Sequence, residues 1–167
     1  MNPREIIEAL IFSSEEALSI REILKVLPDI TGQAIEDIVS ELNRIYDTSD
    51  RSFMIEKVSN GYMFVTKKGY APHLRRLHKA KRLSPAAMEV LAVIAYKGPC
   101  AKQTIDKVRG VDSSSSLRTL VNSDLVSIKA GRPLQYVTTK RFLEVFGLNS
   151  LSDLPDVAQI REFFGEG

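Results

Sequence analysis

A chain of 167 residues with 44% hydrophobic residues, 26% charged residues and a net charge of +2 is globular rather than disordered and is long enough for one domain or two small ones. No run approaches the roughly 18 apolar residues that span a bilayer, and the opening MNPREIIEAL lacks the basic start and unbroken apolar core of a secretory signal. Cys100 stands alone, which excludes an intrachain disulfide, so a soluble cytoplasmic protein without a membrane partner is expected.

The near-neutral total hides a strong asymmetry. Residues 1–66 carry 6 Lys/Arg against 12 Asp/Glu, residues 67–82 carry 7 Lys/Arg and no acid, and residues 83–167 carry 10 against 9. A basic bridge therefore joins an acidic unit to a neutral one.

Ile6, Ile7, Leu10 and Ile11 recur at helical spacing and predict a first helix from about Pro3 to Ser14. Ser19 and Glu22 form a capping box opening a second helix, with Ile20, Ile23, Leu24 and Leu27 inward and Pro28 ending it. Thr31 caps a third helix carrying Ile35, Ile38, Val39, Leu42, Ile45 and Tyr46. The pattern then changes to strand-like FMIEKV (53–58) and YMFVT (62–66) around Ser59-Asn60-Gly61. Asn60-Gly61 is expected to supply the positive φ angles of a tight hairpin turn. Three helices followed by a hairpin is the winged-helix order, a helix-turn-helix variant.

The second half repeats that order with different residues. Ser84 caps and Pro85 starts a helix over Leu83–Tyr96, which Gly98-Pro99 stops. Only Glu89 is charged in it, so the helix is apolar all round and is expected to be buried all round. Lys102–Arg109 makes a short helix with Ile105 and Val108 inward, ended by Gly110. Asp112 or Ser113 caps the next, with Leu117, Leu120, Val121 and Leu125 inward. VSIKA (126–130) and LQYVT (134–138) flank Gly131-Arg132-Pro133, and Thr138 or Thr139 caps a last helix, KRFLEVFG. The expected fold is mainly α with small β-hairpins (α+β), as two tandem winged-helix domains. Their expected extents are 1–66 and 83–148, with a basic linker over 67–82 and a tail over 149–167. In that tail Val157, Ile160, Phe163 and Phe164 fall on one helical face, suited either to folding back over the Leu83–Tyr96 helix or to docking on a partner.

Catalysis finds little support. His73 and His78 lie five residues apart among Arg75, Arg76 and Lys79, on different helical faces and where an imidazole base gains nothing. Cys100 has no His near it in sequence, and neither phosphate-loop nor zinc spacing occurs. The Ser113–Ser116 run reads as a helix start rather than a phosphorylation site. No catalytic residue, metal or cofactor is therefore expected.

Sequence-specific DNA reading is also disfavoured. The first reading helix presents Glu36, Asp37 and Glu41 against Arg44 alone, and those acids repel phosphate. The second offers only Arg118, Asn122 and Asp124, and its wing Lys129 and Arg132. Only the linker has the composition of a phosphate footprint, through Arg75, Arg76, Lys79, Lys81 and Arg82, and a solvated face is the plainer reading of it. The positive clue is apolar excess. Phe53, Met54, Ile55, Tyr62, Met63, Phe64 and Val65 load both faces of the first hairpin, which calls for a cover: a partner, a second copy of the chain, or the third helix and the linker of the same chain.

Three stretches, LSPAAMEVLAVIAYKGP, IDKVRGVDSSSSLRTLVNSDLV and GRPLQYVTTKRFLEVFGLNSLSDLP, resemble the second domain of the segregation and condensation protein B (ScpB) family. IIEALIFSSEEALSIREIL is similar to that family's opening helices. The resemblance spans roughly residues 3–155, with a shorter second wing than is usual in the family. It implies a homodimer formed mainly through the first domain, and binding of that dimer to the kleisin ScpA, which bridges the heads of the Smc ATPase. It thus implies a non-enzymatic subunit of the Smc–kleisin complex, required for chromosome condensation and partition in cell division and associated with the nucleoid.

On this chain the expected dimer residues are Phe53, Ile55, Tyr62 and Phe64. The expected kleisin groove comprises Met88, Leu91, Ala92, Ala95 and Tyr96, with Arg109, Arg132 and Tyr136 as polar or aromatic anchors near it. The plain alternative makes those aliphatics core and pairs Arg109 and Arg132 with Asp112 or Glu144. Two rival functions stay open: a winged-helix DNA-binding transcription regulator, and an adaptor that touches DNA without sequence preference through the linker.

Overall fold

The structure, a computed structural model, describes residues 2–77 and 83–156. The chain divides after Arg82 into two compact units.

Unit 1 runs α1 (Pro3–Ser13), β1 (Leu18–Ser19), α2 (Ile20–Val26), α3 (Gly32–Thr48), β2 (Phe53–Val58) and β3 (Gly61–Thr66). A 3₁₀ turn (Lys68–Tyr70) and α4 (Ala71–Leu77) follow. The sheet is antiparallel in the order β1-β3-β2. The helices α1, α2 and α3 start where their cap chemistry dictates. Asn2 accepts from the Arg4 N–H, the Ser19–Glu22 capping box is formed, and Thr31 accepts from the Ala34 N–H. Ile7, Ile11, Ile23, Ile35, Val39, Leu42, Tyr46, Ile55 and Tyr62 make the core. β2 is an edge strand, and Asn43 of α3 occupies both main-chain groups of Ile55, donating to its carbonyl and accepting from its N–H at 2.8 Å each. That edge is thereby closed to pairing at its centre.

Unit 2 runs α5 (Pro85–Lys97), β4 (Cys100–Ala101), α6 (Lys102–Arg109), α7 (Ser114–Asn122), β5 (Val126–Lys129), β6 (Gln135–Thr138) and α8 (Lys140–Phe146). A 3₁₀ turn over Leu151–Asp153 comes last, and the sheet order is β4-β6-β5. Both units share one order: helix, two-residue strand, two helices, then a hairpin whose second strand is central. That is winged-helix topology, with β1 and β4 as the short strand completing each sheet. Two-residue strands leave no periodicity in a sequence, so neither is announced there.

Several local expectations shift. The hairpin turn is displaced by one residue: Ser59 (φ 50) and Asn60 (φ 58) take the left-handed conformation, and Gly61 opens β3 paired with Ser19 and Val58. Gly61 is required by space instead, since a Cβ would lie 2.9 Å from the Leu18 carbonyl oxygen. α2 ends at Val26 and α7 at Asn122, so Leu125 is buried beyond its helix. Of the two residues expected inward on α6, Ile105 is buried but Val108 is 50% exposed. Of the two candidate caps before α8, Thr139 is the one used, accepting from the Phe142 N–H at 3.1 Å. Residues 68–77, expected as plain linker, form the 3₁₀ turn and α4.

The expectation that α5 is buried all round fails among the described residues. Ala87, Val90, Leu91, Ile94 and Ala95 are buried, but Met88 is 42% and Tyr96 38% exposed, and Ala92 between them is exposed as well. The helix has one unpolar face turned outward.

Candidate functional site

The outward face of α5 forms one wall of a cleft. Pro85 and the Ser84 cap, which accepts from the Ala87 N–H at 3.2 Å, fix where α5 begins. The rotation of that helix brings Met88, Leu91, Ala92, Ala95 and Tyr96 to one side. α8 supplies the opposite wall. Its Thr139 cap sets Phe142 and Phe146 four residues apart on one face, ring centroids 4.7 Å apart. Leu154 closes the end, held because Tyr96 Oη donates to the Pro155 carbonyl oxygen at 2.8 Å. The cleft measures about 240 Å³. Its eight lining residues are apolar except for the tyrosine hydroxyl, so the lining offers apolar surface and no acid, base or nucleophile.

The sequence brings five of these residues to one place, and the structure adds Phe142, Phe146 and Leu154. The missed signal was the Phe-x-x-x-Phe spacing of the last helix, which puts two rings on one side. The other three expected anchors lie elsewhere. Arg109, only 8% exposed, spans from α6 to α5: Nε and Nη2 meet a Glu89 carboxylate oxygen at 3.1 and 3.0 Å, and Nη1 donates to Ser113 Oγ at 3.1 Å. Its ion-pair partner is thus Glu89, not Asp112 or Glu144. Asp112 is taken by Lys102, which also holds Asp106, at 2.5 and 2.6 Å. Glu144 faces Lys140 and Arg141 of its own helix. Lys102 holds both aspartates below the usual carboxylate range and is itself pushed up to about 12. Arg132 is exposed at the wing tip, before the cis bond to Pro133. Tyr136 lines a second cleft of about 290 Å³, beside Leu117, Arg118, Val121 and Ile128.

In unit 1 the four expected dimer residues share one face of the hairpin, and it is the core face. Ile55 and Tyr62 are buried within the single chain, so neither keeps surface for a second copy. Strand alternation gives the outward face to Met54, Met63 and Val65, which stay half-buried. Phe53 and Phe64 are half-buried in a ring cluster with Tyr46, at centroid distances of 5.1 to 5.9 Å. The outermost ring of that cluster is Phe12, 78% exposed and edge-on to Phe64 at 5.7 Å. The sequence does not mark Phe12, which follows the Ile7–Ile11 stripe by one position, on the side expected to be polar.

The outer side of α3 is acidic and occupied. Glu36 pairs with Lys57 at 2.8 Å, Glu41 with Arg4 at 2.9 Å, and Asp37 accepts from Gln33. Arg75 and Arg76 lie on α4, whereas Lys79, Lys81 and Arg82 lie outside the described residues, as do the tail residues 157–167. Cys100 is buried, and burial pushes its thiol up, away from nucleophilic use. Among the described residues no group of three or more His, Cys, Asp or Glu is placed to hold a metal ion, and no helix is long and apolar enough to cross a membrane.

Comparison with known proteins places these features in context. The sequence model for the segregation and condensation complex subunit ScpB matches residues 5–157. A segregation and condensation protein B of Syntrophotalea carbinolica is 38% identical over 98% of this chain and 86% of its own length. Among solved structures, a conserved hypothetical protein from Chlorobium tepidum is 35% identical over 87% of this chain and 96% of that one, at a TM-score of 0.46. A dimer of a ScpB N-terminal domain complexed with a ScpA peptide is 26% identical over 49% of this chain and 99% of that one, at a TM-score of 0.42. Both superpositions are loose, and the winged-helix assignment rests on the topology described above.

Proposed function

The chain belongs to the ScpB family of segregation and condensation complex subunits, and from that membership we propose that it works as a non-enzymatic adaptor of the Smc–kleisin complex. Two copies pair through unit 1, and unit 2 takes an apolar segment of the kleisin ScpA into the α5–α8 cleft. The expected outcome in the cell is chromosome condensation and partition, with the protein in the cytoplasm at the nucleoid. The observation that carries this reading is the cleft itself: an uncharged apolar lining between two helices, on a fold whose reading helix carries paired carboxylates. A groove of that chemistry recognises a helix through apolar anchors at i, i+3, i+4 and i+7. Any contact with DNA is non-specific and falls to Arg75, Arg76, Lys79, Lys81 and Arg82.

For dimer formation, the burial of Ile55 and Tyr62 leaves Phe53 and Phe64 of the expected set, together with the exposed Phe12 that packs on Phe64, as the pairing surface. The test is co-purification with ScpA of the same genome, with sedimentation giving the stoichiometry. A dimeric chain that retains ScpA is the expected result. A strictly monomeric chain that ignores ScpA would sink the reading.

A further inference from the structure

The end of the described chain is delivered to the mouth of the α5–α8 cleft. Leu154 lines the cleft, Pro155 is fixed to Tyr96, and Asp156 borders an adjoining depression with Lys97 and Gly98. The sequence that follows at once is VAQIREFF, residues 157–164. In it Val157, Ile160, Phe163 and Phe164 recur at i, i+3, i+6 and i+7, a spacing that presents anchors to a groove, while Gln159 and Glu162 fall on the opposite side.

We propose that residues 157–164 occupy this cleft in the free chain, so that the tail competes with ScpA for the site assigned above. The geometry of attachment is what makes the tail the occupant. A segment tethered at the groove's own mouth binds intramolecularly, at an effective concentration on the order of millimolar. An affinity too weak to hold a free peptide is then enough to fill the cleft. The exposed apolar wall of Met88, Ala92 and Phe146 thereby gains a cover from the same molecule. The docking itself stands on the cleft and the tether; only the competition rests on the ScpA reading.

The test uses the full chain with Cys100→Ser and Ala92→Cys, since Ala92 is exposed and lines the cleft. Maleimide labelling of the thiol at position 92 is timed with and without the added changes Ile160→Asp and Phe163→Asp. Circular dichroism verifies that each variant is folded. With the tail seated, labelling is about tenfold slower in the chain with the native tail, and the difference is independent of protein concentration. Equal rates in the two chains overturn the proposal. Protection that fades on dilution also overturns it, assigning the cleft to a second copy. The readout involves no ScpA, so its failure is distinct from a failure to bind ScpA. Conversely, ScpA that leaves the thiol of the Asp-containing chain unprotected overturns the kleisin site and not the tail.

Discussion

Gly61 and Leu18 approach so closely that a Cβ on Gly61 would lie 2.9 Å from the Leu18 carbonyl oxygen. The contact arises because β1 pairs with β3 at that point, Ser19 facing Gly61 across the ladder. The glycine therefore serves the sheet and not the turn next to it.

Replacing Gly61 by Ala should destabilise unit 1 by about 1–3 kcal/mol, since backbone on both sides has to move to admit the methyl group. Ser59→Gly should act the other way by up to about 1 kcal/mol, because Ser59 holds a φ of 50 that glycine adopts without cost. Urea denaturation of the two variants reads both shifts. A neutral Gly61→Ala would mean that β1 does not lie against β3.

Lys102 bridging Asp106 and Asp112 gives unit 2 a pH dependence of known sign. Hydrogen bonding to Lys102 lowers both carboxylates, so their contribution is complete above the unfolded value of about 3.9 and disappears as pH falls through the lowered values. Lys102, raised to about 12, contributes fully below its unfolded value of about 10.4, and that contribution is lost as pH rises through about 12. Thermal melts of the parent and Lys102→Met should differ at neutral pH and converge as pH falls through the lowered carboxylate values. Parallel Tm curves across the whole range would count against the bridge.

Met88 and Leu91 lie one turn apart on α5 with opposite exposures, 42% and 2%. Met88→Asp should therefore stay within about 0.5 kcal/mol of the parent in stability while losing ScpA in a pull-down. Leu91→Ala leaves a cavity and should cost about 2–5 kcal/mol in denaturant unfolding. If Met88→Asp unfolds unit 2, the residue is core and the cleft is not a binding surface.

Phe12→Asp should leave unit 1 folded and shift the chain toward monomer in sedimentation velocity, because its ring is exposed and edge-on to Phe64. Ile55→Asp should instead abolish folding of unit 1 by placing an unpaired charge in the core. A Phe12→Asp chain that self-associates like the parent would move the dimer contact away from this cluster.

Much of the molecule was legible from side-chain chemistry alone. Ser19 with Glu22, Thr31, and Ser84 with Pro85 announce helix starts, and these are local signals that need no partner. Gly98 and Gly110 likewise mark helix ends, and both hairpins follow from strand-forming residues on either side of turn residues. These signals, taken in order, gave both winged helices. They also gave the five cleft residues that fall on one side of α5.

Relations between distant residues had no such signal. Arg109 chooses Glu89 over Asp112 because folding sets α6 against α5 and leaves Asp112 to Lys102. Ile55 and Tyr62 are core rather than interface because α1 and α3 cover that face of the hairpin, and strand alternation says which residues share a face but not which face is covered. The apolar circumference of Leu83–Tyr96 was plain in the sequence. Only tertiary packing decides that Val90 and Ile94 turn inward while Met88, Ala92 and Tyr96 are left open to be covered, because burial depends on which elements reach the helix and not on the hydrophobicity of the helix itself.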